Sequence, residues 1–271
     1  MSKTKNMHYL SQTISRNFII DKESKTFLEY NPISKNIKPR NIVRLFSKRN
    51  IWGQDFEKVL NGNDYENKLA VVLKSLVSKP IEKGREISGE KIIEAQFNAV
   101  LVEKESEQIL SKLILQTVLL QRSEATPDKN IEELLSSLYQ SMWKELHKIL
   151  LVEVNPSGNY PPLVLIDGML FVFISPNPHS NSLGHVCFMF PISEKRFLLW
   201  VSQPEDYRFF AAKYSDINFL NLSRIEQNDK KCRIALPKSE KNEKYLRLLT
   251  SQIDTFTSNE SISIHLQRKW E

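Results

Sequence analysis

The chain has 271 residues, 41% of them hydrophobic and 26% charged, which is ordinary for a globular protein and enough to bury a core without staples. With seven glycines and neither a G-x-x-x-x-G-K-S/T nor a G-x-G-x-x-G run, a P-loop NTPase and a Rossmann oxidoreductase are excluded. The net charge of +6 is uneven, because residues 1–50 hold 11 Lys/Arg against 3 Asp/Glu and the remainder holds 27 against 29.

Along the chain, Phe18-Ile19-Ile20, Thr26 to Tyr30 and Asn41 to Phe46 read as short extended pieces between polar turns, a small β-meander. Asn61-Gly62-Asn63-Asp64 predicts a turn and helix cap, followed by helical spacing of Leu69, Val72, Leu73 and Leu76 up to Pro80. Helices are expected over Glu90 to Val102 and over Ser106 to Gln121, the second apolar over most of its circumference and expected at the centre of the core. Thr126-Pro127-Asp128 predicts a third helix, with a stripe through Ile131, Leu134, Leu135, Leu138, Met142, Leu146 and Ile149.

From Pro161 the texture changes. Leu163 to Ile166, Leu170 to Ile174, Val186 to Phe190 and Phe197 to Ser202 read as four buried strands, with Asp167-Gly168 as a two-residue hairpin signal. Helical stretches follow around Phe209–Ala212, Ile217–Arg224 and Tyr245–Ile253, with Cys232 to Leu236 as a fifth strand. The fold class expected is α+β, a helical middle packed against a mainly antiparallel sheet, with a small N-terminal β-meander. One domain is expected over 1–271, with a basic β-rich part (1–60), a helical part (61–155) and a part of sheet and C-terminal helices (156–271).

The polar N-terminus shows no signal peptide, and the longest apolar run, Leu163 to Ile174, is broken by Asp167 and Gly168 and too short for a bilayer. Cys187 and Cys232 stand in apolar contexts without metal-ligand spacing, the usage of packed thiols in a reducing compartment. A cytoplasmic protein with no membrane association is expected.

Five short motifs occur in order. They are Met7-His8-Tyr9-Leu10-Ser11-Gln12 with Arg16-Asn17-Phe18, then Asp64-Tyr65-Glu66-Asn67, then Leu115 to Arg122, then Ser175-Pro176-Asn177-Pro178, then Pro191-Ile192-Ser193. In type and order they resemble a bacterial family termed domain of unknown function 4238. That family opens on a His-His-Tyr-Val-Pro-Gln motif and later carries Gln-x-x-Arg-x-Pro, Ser-Asp-Asn-Pro and Pro-Leu-Ser. The resemblance spans roughly residues 7–225 and implies candidate positions rather than a mechanism. Two positions depart from the pattern: Met7 replaces the first histidine, and Pro176 replaces the acidic residue.

These motifs supply the candidate residues. His8 is a candidate general acid/base with Tyr9 orienting it, or the pair satisfies backbone groups at a strand start. Arg122 ends a helix, where a cation complements the dipole, or it clamps a phosphate or carboxylate. Ser175 and Asn177 present side chains to a ligand or cap a turn, and no nucleophile elbow surrounds Ser175. The catalytic set is therefore His8, Tyr9, Glu66, Arg122 and Ser175, with Gln12, Gln121, Asn177, Arg40 and Arg44 as ligand-binding candidates. His179, His185 and Cys187 have no standard zinc spacing, so neither metal nor cofactor is expected.

Three functions remain open. The first is a protein that binds or acts on nucleic acid, or on a nucleotide-like phosphate ligand, through the N-terminal basic segment. The second is a hydrolase or nuclease, the copy being degenerate if the lost acidic residue mattered. The third is an interaction scaffold whose polar motifs are architectural.

Overall fold

The computed structural model describes residues 6–8, 12–19, 25–49, 65–81, 97–122, 148–154, 160–176, 184–228 and 232–256. In chain order its elements are β1 (Asn6–His8), α1 (Gln12–Asn17), β2 (Thr26–Asn31), β3 (Asn36–Asn41), a 3-10 turn (Ile42–Arg44), β4 (Ser47–Arg49) and α2 (Tyr65–Ser78). Next come β5 (Phe97–Leu101), α3 (Lys104–Arg122), β6 (Lys148–Val154), β7 (Leu165–Ile166), β8 (Phe171–Ser175), β9 (His185–Pro191) and β10 (Arg196–Val201). The chain continues through α4 (Pro204–Lys213), α5 (Ile217–Gln227), β11 (Ile234–Pro237) and α6 (Glu240–Phe256).

The fold is α+β. A five-stranded sheet runs β5-β6-β10-β9-β8 and a four-stranded sheet β3-β2-β11-β7, with β1 and β4 forming a separate ribbon. Every one of these pairings is antiparallel.

Period-two alternation sends each strand's side chains to both faces, and both faces of the larger sheet are buried. On β10, Leu198 and Trp200 join Ile149, Leu151, Phe188 and Phe190 in one core. That core is covered by Ile14 of α1, by Leu69, Leu73 and Leu76 of α2 and by Leu110, Leu113 and Ile114 of α3. Phe197, Leu199 and Val201 face the other way, against Tyr207, Phe210, Ala211 and Tyr214 of α4 and Ile217 and Leu220 of α5. The ring of Phe210 lies 5.1 to 6.0 Å from those of Phe97, Phe173, Phe197 and Tyr214, which seats α4 against the sheet.

The smaller sheet gives Phe27, Leu165 and Ala235 to the first core. Its opposite face, with Leu28, Tyr30, Ile234 and Leu236, packs on Leu246, Leu249 and Ile253 of α6 and Leu222 and Ile225 of α5. α5 therefore bridges the two sheets. Arg196 locks α2 to the larger sheet: its guanidinium pairs with Glu153 at 2.7 Å and donates to the carbonyls of Leu76 and Lys79 at 2.7 Å each.

Several elements differ from the sequence expectation. Phe18 and Ile19 follow the helix α1 rather than forming a strand, and Asn41 closes β3 so that Ile42 to Arg44 make a 3-10 turn. Phe97–Leu101 is a strand, not the end of a helix, because Phe97 and Ala99 alternate toward one core. Ile149, placed on the third helical stripe, lies on β6, and the Thr126 region falls outside the described residues. Asp167-Gly168 is no hairpin: β7 pairs with β11 and β8 with β9, so the step carries the chain from one sheet to the other. α3 covers one sheet face through Leu110, Leu113 and Ile114 with its first turn exposed, and the side chains of Leu115, Gln116 and residues 118–122 fall outside the described residues.

Candidate functional site

The most chemically loaded place in the described structure is the end of the β8–β9 pair. The register sets Ser175 directly opposite His185, with Ile174 opposite Val186 and Phe173 opposite Cys187. Alternation places Ser175 and His185 on the α4 side, continuing the rows of Phe171 and Phe173 and of Cys187 and Met189. Directly opposed residues hold their Cβ atoms about 5 Å apart. Gly184 makes the approach possible, since a Cβ there would lie 2.1 Å from the Ser175 carbonyl oxygen.

From the facing helix comes Asp206, which is fully buried. Pro204 occupies the first turn of α4, where its missing N–H is harmless and its fixed φ suits a helix. Asp206 Oδ2 accepts from the backbone N–H groups of Ser202 at 2.9 Å and Gln203 at 3.0 Å, closing the helix start. Its Oδ1 lies 3.0 Å from His185 Nδ1. A carboxylate only accepts, so the ring proton is assigned to Nδ1 and Nε2 is left with its lone pair.

His185 is 26% exposed while Asp206 is sealed beneath it. Ser175 is 1% exposed, and its hydroxyl has no hydrogen-bond partner among the described residues. A buried hydroxyl left unmatched costs about 1–3 kcal/mol, so its capacity is a property of the site to be accounted for. Cys187 completes the cluster. Burial, reinforced by the nearby Asp206 carboxylate, pushes its thiol far above the ordinary range, which removes it as a nucleophile or ready metal ligand. No group of three His, Cys, Asp or Glu residues placed to hold a metal occurs among the described residues.

Of the sequence candidates, Ser175 alone has a described side chain within this cluster. His8 lies on β1 with its backbone paired to Ser47. Glu66 is the second residue of α2, Arg122 the last of α3 and Gln12 the first of α1. The side chains of His8, Gln12, Glu66, Gln121 and Arg122, together with the whole of Tyr9 and Asn177, fall outside the described residues. Arg40 on the exposed edge strand β3 is tied to the buried Glu29 at 3.3 Å, whereas Arg44 in the 3-10 turn is exposed.

Pro191-Ile192-Ser193 turns out to be architectural. Ser193 Oγ accepts from the N–H groups of Lys195 and Arg196 and closes the β9–β10 turn. The strand register sets His185 opposite Ser175, a neighbour the sequence analysis did not assign to it. No local motif signals that pairing, which follows from the strand register alone. Asp206 was signalled by the Gln-Pro-Glu-Asp helix start. No protein-family model, curated protein or solved structure matches this chain.

Proposed function

We propose that this protein is a hydrolase in which His185, oriented by Asp206, is the general base, and that its substrate carries phosphate. The observation that carries the reading is the line from buried Asp206 to His185 Nδ1, on a residue that the strand register sets opposite Ser175 and whose Nε2 has no hydrogen-bond partner among the described residues. In the proposed step Nε2 takes a proton from a water whose oxygen bonds to phosphorus as the P–O bond to the leaving alcohol breaks; the imidazolium, stabilised by Asp206, then returns the proton to the departing oxygen. Ser175 is not itself assigned as nucleophile. Pro176 follows it and has no N–H, so the oxyanion donor usually supplied by the residue after a nucleophile is missing.

The phosphate assignment rests on charge. Lys35, Lys38, Arg40 and Arg44 are all exposed on and beside β3, and such a field raises the arrival rate of polyanions without touching the reacting atoms. The ordered motifs support placing the chain within the family of unknown function that they resemble, and two buried cysteines outside any disulfide agree with a cytoplasmic setting. Among the described residues no helix is long and apolar enough to cross a membrane.

The test is hydrolysis of bis(p-nitrophenyl) phosphate and of a labelled single-stranded oligonucleotide, comparing wild type with His185→Ala of matching circular dichroism. Loss of a general base predicts a fall in kcat/KM of about 10²-fold or more. An unchanged rate, or no turnover of either substrate by wild type, rejects the reading. Turnover of p-nitrophenyl acetate alone rejects its phosphate part.

A further inference from the structure

Arg224, on the face of α5 turned toward α6 and β11, is 1% exposed, and its Nε and Nη2 have no hydrogen-bond partner among the described residues. Nη1 donates to Asn221 Oδ1 at 3.2 Å. No carboxylate pairs with the guanidinium among the described residues. The polar groups beside it are already committed. Asn221 Oδ1 also accepts from the N–H of Val164, and Asn221 Nδ2 donates to the Pro162 carbonyl and to the Tyr245 hydroxyl. Tyr245 OH donates to Asn218 Oδ1, and Asn218 Nδ2 to Gln252 Oε1. None of these groups is left over to complete Arg224.

A lone buried cation is among the most costly groups a core can hold, and the last turn of a helix offsets only a fraction of that cost. Nε and Nη2 are the two nitrogens whose N–H bonds run parallel on one edge of the guanidinium, the fork that grips a planar carboxylate through two hydrogen bonds. Around it the third core is apolar, with Leu222, Ile225 and Leu246. No second cation stands beside it among the described residues, and one positive charge suits a monoanion, whereas a phosphate dianion would need more donors.

We infer that the Arg224 fork is a binding site for a monoanionic carboxylate, held between α5 and α6 and separate from the His185 cluster. Burial holds the guanidinium down at about 9, against the opposing influence of Cys232 and Tyr245, and a bound anion would restore it.

Sodium formate is the probe, titrated against the full chain at constant ionic strength with perchlorate excluded. Wild type is expected to show a saturable rise in Tm of about 2 °C or more, together with exchange broadening of ¹³C-formate. Arg224→Met, which keeps the volume and removes the charge, should lose both effects, and Arg224→Lys, which keeps the charge but not the fork, should lose most of the broadening. If either variant fails to fold, broadening in wild type that inorganic phosphate competes away no better than chloride still supports the carboxylate site. A linear, unsaturable Tm response in wild type overturns the inference, as does an equal response in wild type and Arg224→Met. Because the readout is binding and stability, its failure leaves the hydrolase reading untouched.

Discussion

A methyl group at position 184 would meet the Ser175 carbonyl oxygen at 2.1 Å and the Ile174 side chain at 2.9 Å, so the end of the β8–β9 pair exists in its present form only with glycine there. Gly184→Ala must push β8 and β9 apart at the Ser175–His185 step. We expect a stability loss of about 1–3 kcal/mol, the usual range for forced overpacking, and a drop in hydrolysis larger than the remaining folded fraction accounts for. Thermal unfolding and rate, measured on one preparation, separate the two effects. Ser175 was legible from the sequence as a polar residue ending an apolar strand. His185 was not, because opposing them requires the strand register, and register is set by which faces are buried rather than by any local motif.

The β9–β10 turn shows what one element's end does for its neighbours. Glu194 beside it is buried and accepts from Asn242 Nδ2 of α6 at 2.9 Å, while the N–H of Leu163 donates to its backbone carbonyl. Burial raises the Glu194 carboxyl above the ordinary range, against the hydrogen bond from Asn242 and the charges of Lys195 and Lys241. A carboxyl whose folded pKa exceeds its unfolded value contributes stability that is present below the unfolded value and lost as pH rises through the folded one. Glu194→Gln keeps an acceptor for Asn242 and removes the charge. Its Tm at pH 7 should therefore match or exceed that of wild type, with a smaller gain on mild acidification. A Tm clearly below wild type at pH 7 would show the charge to be stabilising and overturn this reading.

Element type was readable where apolar runs were long or bounded by turn residues, as from Leu163 to Leu236. It failed at Phe97–Leu101, because Phe97, Val100 and Leu101 fit helical spacing as well as they fit a strand, and only pairing with β6 decides.

At the scale of the molecule, two sheets share a core and α5 stitches them together. Chain ends distant in sequence become neighbours: β2, from the first 31 residues, pairs with β11 near residue 235. The α+β class was readable from composition and pattern, whereas the division into two sheets was not. Nothing local in Asp167-Gly168 distinguishes a hairpin from a step between sheets. The exposed basic run also has a fold-level role, since Lys38, Pro39 and Arg40 lie on an edge strand, where charge and proline discourage pairing with another chain.

The centre proposed here depends on Asp206 reaching His185 from α4 and thereby fixing which ring nitrogen is basic. A long-range ¹H–¹⁵N correlation spectrum of the histidine rings measures that directly, with His185 assigned by its absence in His185→Ala. The account predicts that the neutral ring of His185 carries its proton on Nδ1, with Nε2 showing a lone-pair nitrogen shift. A proton on Nε2 would contradict it, because the exposed edge of the ring would then be a donor with no base to offer.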